Sequence, residues 1–131
     1  MSAGAPFGPP VPDEEDLYRA ITHPSWWKAP EGRPSSAAFA YPKFSVDIAS
    51  LTTAERTLDR VRHIARNPGL VEFHCGAARE FGFDSRAEPD EKYPENEAHA
   101  HVYCSLGKSQ RKRRAQALAQ SCAVVAEPAF D

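Results

Sequence analysis

Phe44, Val46 and Ile48 alternate with Ser45, Asp47 and Ala49, and that period of two predicts a half-buried strand. Leu70–Cys75 and Ala98–Cys104 follow the same pattern, and the apolar run Cys122–Ala126 predicts a last, short strand. Helical spacing appears elsewhere. Asp13, Glu14, Glu15 and Asp16 open a segment read as a helix through Ile21, because acidic side chains complement the positive end of a helix dipole. Thr52 or Thr53 can cap a helix that runs to about Asn67, with Leu58, Val61, Ile64 and Ala65 as its apolar stripe. A helical turn is expected over Ala77–Phe81 and a longer helix over Lys108–Ala119.

The segments between are rich in breakers. Residues 1–12 hold four prolines and read as a disordered or extended tail before one domain over 13–131. Residues 23–44 hold four more prolines and read as a long ordered loop pinned by Trp26, Trp27 and Phe39. Residues 84–97 are acidic and read as a surface excursion. The expected fold class is α+β: a compact single domain with one small three- to five-stranded sheet packed with two or three helices. The chain's 131 residues are enough to bury one core without a disulfide or metal, and 12 prolines exclude a helical bundle.

Net charge is −2, so the whole molecule does not attract nucleic acid or membrane by its overall field. No run of apolar residues is long enough for a membrane span, and Met1–Pro12 lacks the features of a secretory signal. Three widely spaced cysteines, Cys75, Cys104 and Cys122, argue against a disulfide framework and for a cytoplasmic location. Cys75 lies on the apolar side of its strand, where a core role is expected.

Candidate chemistry falls on the polar sides of two strands. Glu72 and His74 share one side of Leu70–Cys75; His99, His101 and Tyr103 share one side of Ala98–Cys104. If these strands are neighbours, five titratable groups converge. His99 and His101, with Asp47, are the candidate catalytic residues, since histidine exchanges protons near neutrality. A divalent metal held by the i, i+2 histidines is an alternative, and a plain solvated sheet face is another. No metal ligand or cofactor is assigned.

The loop sequence Gly32-Arg33-Pro34-Ser35-Ser36 supplies a second candidate. Arg33, Ser35 and Ser36 could hold a phosphate or carboxylate, with Arg79 as a further ligand, although either serine could instead cap a short helix. A third candidate is the basic stretch Lys108, Arg111, Lys112, Arg113 and Arg114. These cations sit at the start of a helix, where they oppose the dipole. They can pair with the protein's own acidic segment 84–97, remain solvated, or contact nucleic-acid phosphates.

Gly32-Arg33-Pro34-Ser35-Ser36 with Phe39, then Ser45-Val46-Asp47, then Asn96 with His99 resemble, in that order, pieces of a set of small bacterial proteins. The resemblance spans roughly residues 17 to 103. It implies that Arg33, Ser35, Asp47 and His99 share a site, and it supplies no reaction. The expectation is therefore a small cytoplasmic domain that binds a phosphate-bearing ligand, nucleotide or RNA, with His-dependent acid–base chemistry. The alternatives are a non-catalytic protein-interaction or regulatory module and a metal site on the His99/His101 face.

Overall fold

The computed structural model describes residues 7–130. Its chain forms β1 (Asp16–Ile21), β2 (Trp27–Lys28), β3 (Arg33–Pro34), β4 (Lys43–Ile48), α1 (Ala54–Val61), β5 (Gly69–His74), α2 (Cys75–Glu80), β6 (Asp84–Ala87), β7 (His99–Tyr103), α3 (Lys108–Ser121) and β8 (Ala123–Ala126). Six of the strands build one sheet in the order β6-β7-β4-β1-β5-β8, with every neighbouring pair antiparallel. β2 and β3 form a separate two-stranded hairpin. The α+β architecture agrees with expectation, but the sheet is larger than three to five strands.

Two misread segments account for the difference. Residues 16–21 form a strand rather than the end of a helix. Leu17, Arg19 and Ile21 face the core while Tyr18 and Ala20 face the other way, and the arginine at an inward position masks the alternation. The excursion over 84–97 begins with β6, whose Ser85 and Ala87 pair with the apolar positions Val102 and Ala100 of β7.

One face of the sheet is apolar. Leu17, Ile21, Phe44, Val46, Ile48, Val71, Phe73, Ala100 and Val102 form the core with Phe39 from the long loop and Ala115 and Leu118 from α3. At about 25 cal/mol per Å2 of apolar surface removed from water, this layer supplies the main driving force for folding. Phe39 anchors the loop by edge-on contacts with Phe44 and Phe73, at ring-centroid distances of 5.7 and 5.8 Å.

The other face is polar and only partly covered. α1 packs over β1 and β5, with Leu58 buried beneath it. Thr53 caps α1 by accepting a hydrogen bond from the Arg56 N–H. The helix stops at Val61, short of Asn67, and Ile64 is left 59% exposed rather than buried in the expected stripe. Of the expected tail, residues 1–6 lie outside the described residues. Residues 7–12 are extended and pinned: Val11 is buried and donates to the Ser85 carbonyl, and Ala87 donates to the Pro9 carbonyl. Among the described residues no helix is long and apolar enough to cross a membrane.

Candidate functional site

β1 and β4 pair over only two positions, Leu17↔Ile48 and Tyr18↔Asp47. Beyond them β1 stays with β5 as far as Ile21↔Gly69, while β4 stays with β7 as far as Lys43↔Tyr103. The two halves of the sheet therefore splay apart. A cavity of about 480 Å3 lies over this split, within the range typical of small-molecule sites. Tyr18, Ser45 and Asp47 line it from the sheet, Val61 and Ile64 from the end of α1, and Asp90–Tyr93 from the segment that follows β6. The exposed Ile64 is thus part of an apolar wall. Tyr93 reaches toward His63 across the opening, with ring centroids 6.2 Å apart.

The cross-strand register lays His99, Asp47, Tyr18 and Glu72 in one row across β7, β4, β1 and β5. His101 pairs with Ser45 in the next row on the same face. β5 and β7 are not neighbours, because β4 and β1 intervene. The expected direct contact between their polar sides is replaced by this row. The expected orientation of β7 is observed: His99, His101 and Tyr103 face the polar side, while Val102 and Cys104 are buried on the other.

Glu88, just beyond β6, organises the histidines. Its main-chain carbonyl accepts from His99 Nδ1 at 2.7 Å, and its Oε1 accepts from His101 Nδ1 at 2.8 Å and from the Tyr103 hydroxyl. Its Oε2 accepts from the Gly8 N–H at 2.7 Å. A carbonyl oxygen can only accept, so the Nδ1 of His99 carries the proton and Nε2 carries the lone pair of the neutral ring. That Nε2 is buried and has no hydrogen-bond partner among the described residues. Asp90 Oδ2 stands 3.8 Å away, too far for a hydrogen bond. The two rings meet edge to face with centroids 4.6 Å apart.

Burial disfavours the charged form of His101 and, with the nearby His99 and Lys43, outweighs the pull of Glu88, so its pKa lies below the ordinary 6.5. Burial also opposes charge on Glu88, but the bonds from Tyr103, Gly8 and His101 prevail and hold its carboxyl below the usual range. Tyr103 is pushed up to about 12, first by burial and then by its bond to Glu88. The result is a carboxylate that stays charged beside a His101 imidazole that resists protonation.

Asp47 is 6% exposed and fully engaged: Oδ2 accepts from Thr57 Oγ1 at 2.7 Å and Arg60 Nη1 at 3.0 Å, and Oδ1 accepts from Asn96 Nδ2 at 2.9 Å. It ties α1 and the turn before β7 to the sheet. In this geometry Asp47 fixes the walls of the cavity and offers no free oxygen to a ligand.

Arg33, Ser35 and Ser36 do not line the cavity. Arg33 pairs with Glu31 at 2.8 Å, and Ser35 Oγ donates to the Ser25 carbonyl at 2.6 Å. Ser36 opens a short 3-10 turn, and the Ser35 side chain makes no cap bond to it. This loop and its hairpin pack with α3 over the apolar face, whereas His99 stands on the polar face. The shared Arg33–His99 site is therefore not assembled. Arg79 is bound by Asp13, Asp84 and the Ser85 carbonyl, away from the cavity. The basic residues of α3 make no ion pair with segment 84–97 among the described residues; Arg111 donates to the Leu106 carbonyl. No group of three or more His, Cys, Asp or Glu side chains among the described residues is placed to hold a metal ion.

Arg19 went unnoticed in the sequence. It is 8% exposed, donates to the Ala38 carbonyl at 3.0 Å and the Ser45 carbonyl at 3.2 Å, and lies against the rings of Trp26 and Phe44. No family model matches the chain, and no curated protein or solved structure matches it either.

Proposed function

We propose that this chain binds a small phosphate-bearing ligand of nucleotide size in the cavity over the split sheet, with His99 and His101 exchanging protons with it. The observation that carries this reading is the buried Nε2 of His99, which has no partner among the described residues although its ring is fixed through Nδ1. A buried acceptor left without a bond costs roughly 1–3 kcal/mol. A ligand donor that supplies the missing bond recovers that cost, and the same lone pair can take up a proton. Lys43, Arg60 and Lys92 around the cavity supply positive charge for an anion.

Isothermal titration of the ribonucleoside monophosphates at pH 7 tests the reading. At least one should bind, and His99→Gln should weaken it about tenfold or more without a large change in melting temperature. Absence of binding for every nucleotide at millimolar concentration would overturn it.

A protein-interaction role has its own support. The outer strand β8 carries consecutive valines, Val124 and Val125, at 38% and 44% exposure. An open apolar edge is a template for strand pairing. Light scattering would detect self-association through this edge, and Val125→Lys should abolish it.

A further inference from the structure

We propose that the split between β1 and β4 is a phosphate subsite, with the Arg19 guanidinium as its floor and the Lys43 ammonium at its rim. This rests on the ligand reading above and assigns the ligand its polarity.

The split holds an uncompensated charge. Arg19 is more than nine-tenths buried, yet its contacts are two carbonyl oxygens and two aromatic rings, and no carboxylate pairs with it among the described residues. The carbonyls satisfy Nε and Nη1 but do not neutralise the cation. Removing a guanidinium from water without an anion is costly, so buried arginines are normally paired. Burial lowers its pKa to about 10, which leaves it charged at neutral pH.

The position of the charge is set by the fold. Arg19 follows Tyr18, the last residue of β1 that pairs with β4, and its Nη1 reaches the Ser45 carbonyl across the gap where further ladder bonds would otherwise form. Arg19 bridges the split as well as lining the cavity. Ser45 pairs directly with His101 on β7, so one strand spacing of about 4.8 Å separates the backbone beside Arg19 from that of the histidine. Lys43 lies on the same face two residues along, and its charge is felt by His101. Asp90 and Glu91 also line the cavity, and Asp90 Oδ2 stands 3.8 Å from His99 Nε2.

A ligand that seats one phosphate between Arg19 and Lys43 matches this placement of positive charge. The phosphate enters the split and accepts from the free guanidinium donors and from Lys43, which brings the hydroxyl donors next to the ester toward the histidines. The subsite selects phosphate esters over the corresponding neutral alcohols. The proton-exchanging groups then meet a hydroxyl beside the ester rather than the far end of the ligand.

The test is calorimetric titration of the ribonucleoside monophosphates, the matching nucleosides and inorganic phosphate into wild type, Lys43→Ala, Arg19→Lys and His99→Gln. Lys43 is exposed, so its alanine variant should fold, and circular dichroism establishes whether the Arg19 variant does. A monophosphate should bind about tenfold or more tightly than its nucleoside, and Lys43→Ala should remove about threefold or more of that preference. Raising salt should reduce the preference too. Arg19→Lys should weaken the monophosphate and leave the nucleoside unchanged. Equal binding of nucleoside and monophosphate would overturn the subsite. So would a loss confined to His99→Gln with both cation variants unaffected, an outcome that leaves the cavity reading intact. If no nucleotide or nucleoside binds wild type, both readings fall together.

Discussion

Glu88 shows how much one side chain can set. It stands in an acidic, proline-flanked stretch that reads as surface, yet it orients both histidines, the Tyr103 phenol and the Gly8 amide. No spacing rule marks such a residue, because its role depends on where β6 ends beside β7. The alternation that puts His99 and His101 on one face was legible, since it needs only the pleat; the burial of His99 was not, since the covering segment 88–97 is distant in type from any regular element. The pKa shifts carry a sign for stability. Glu88 and His101 are both held below their ordinary values of 4.5 and 6.5, so the folded state binds fewer protons than the unfolded chain as pH falls. Their stabilisation is complete above about pH 6.5 and is lost progressively through the acid range. Urea denaturation at a series of pH values should show a plateau above neutrality and a decline below it. Glu88→Gln should lower the plateau by about 1–3 kcal/mol and remove the steepest acid portion of the decline. A pH-independent stability between 4 and 7 would contradict this account of the network.

At the scale of elements, the strands with apolar alternation and a threonine cap of α1 at position 52 or 53 could be read directly, and the cap is Thr53. β1 could not, because a buried arginine occupies the position where alternation calls for an apolar side chain, and four acidic residues before it imitate a helix start. The same arginine bridges the gap between β1 and β4 through the Ser45 carbonyl, so the feature that hid the strand also lies in the split and lines the cavity. Asp47 joins three elements through Thr57, Arg60 and Asn96. Asp47→Ala leaves Thr57 and Asn96 without their acceptor, and chemical denaturation should report a loss of about 2–4 kcal/mol. Thr53→Ala, which removes only a cap bond, should cost about 1 kcal/mol. Equal costs for the two would mean that Asp47 is not the anchor described here.

Across the whole molecule, the sheet divides labour between its faces: α3 and the aromatic loop close the apolar one, and α1 with segment 88–97 only frames the polar one. Antiparallel sheets permit this, since no crossover helix is required on the second face. The two outer edges differ. The edge at β6 is covered by residues 8–11, which bring Gly8 to Glu88, whereas β8 lies at the other end of the sheet with its valines exposed. Deleting residues 1–11 should therefore lower the melting temperature by several degrees, as buried Val11 and its ladder bonds are lost, and should loosen His101 as well. The central claim is that the polar face holds a ligand against His99 and His101, and nitrogen-15 NMR of labelled histidine tests it most directly. The free protein should show His99 as the Nδ1–H tautomer with an unbonded Nε2, and a ribonucleoside monophosphate should shift the Nε2 resonances of His99 and His101 to saturation while those of His23 and His74 stay fixed. A His99 that is found as the Nε2–H tautomer, or ring resonances unmoved by every nucleotide at millimolar concentration, would contradict it.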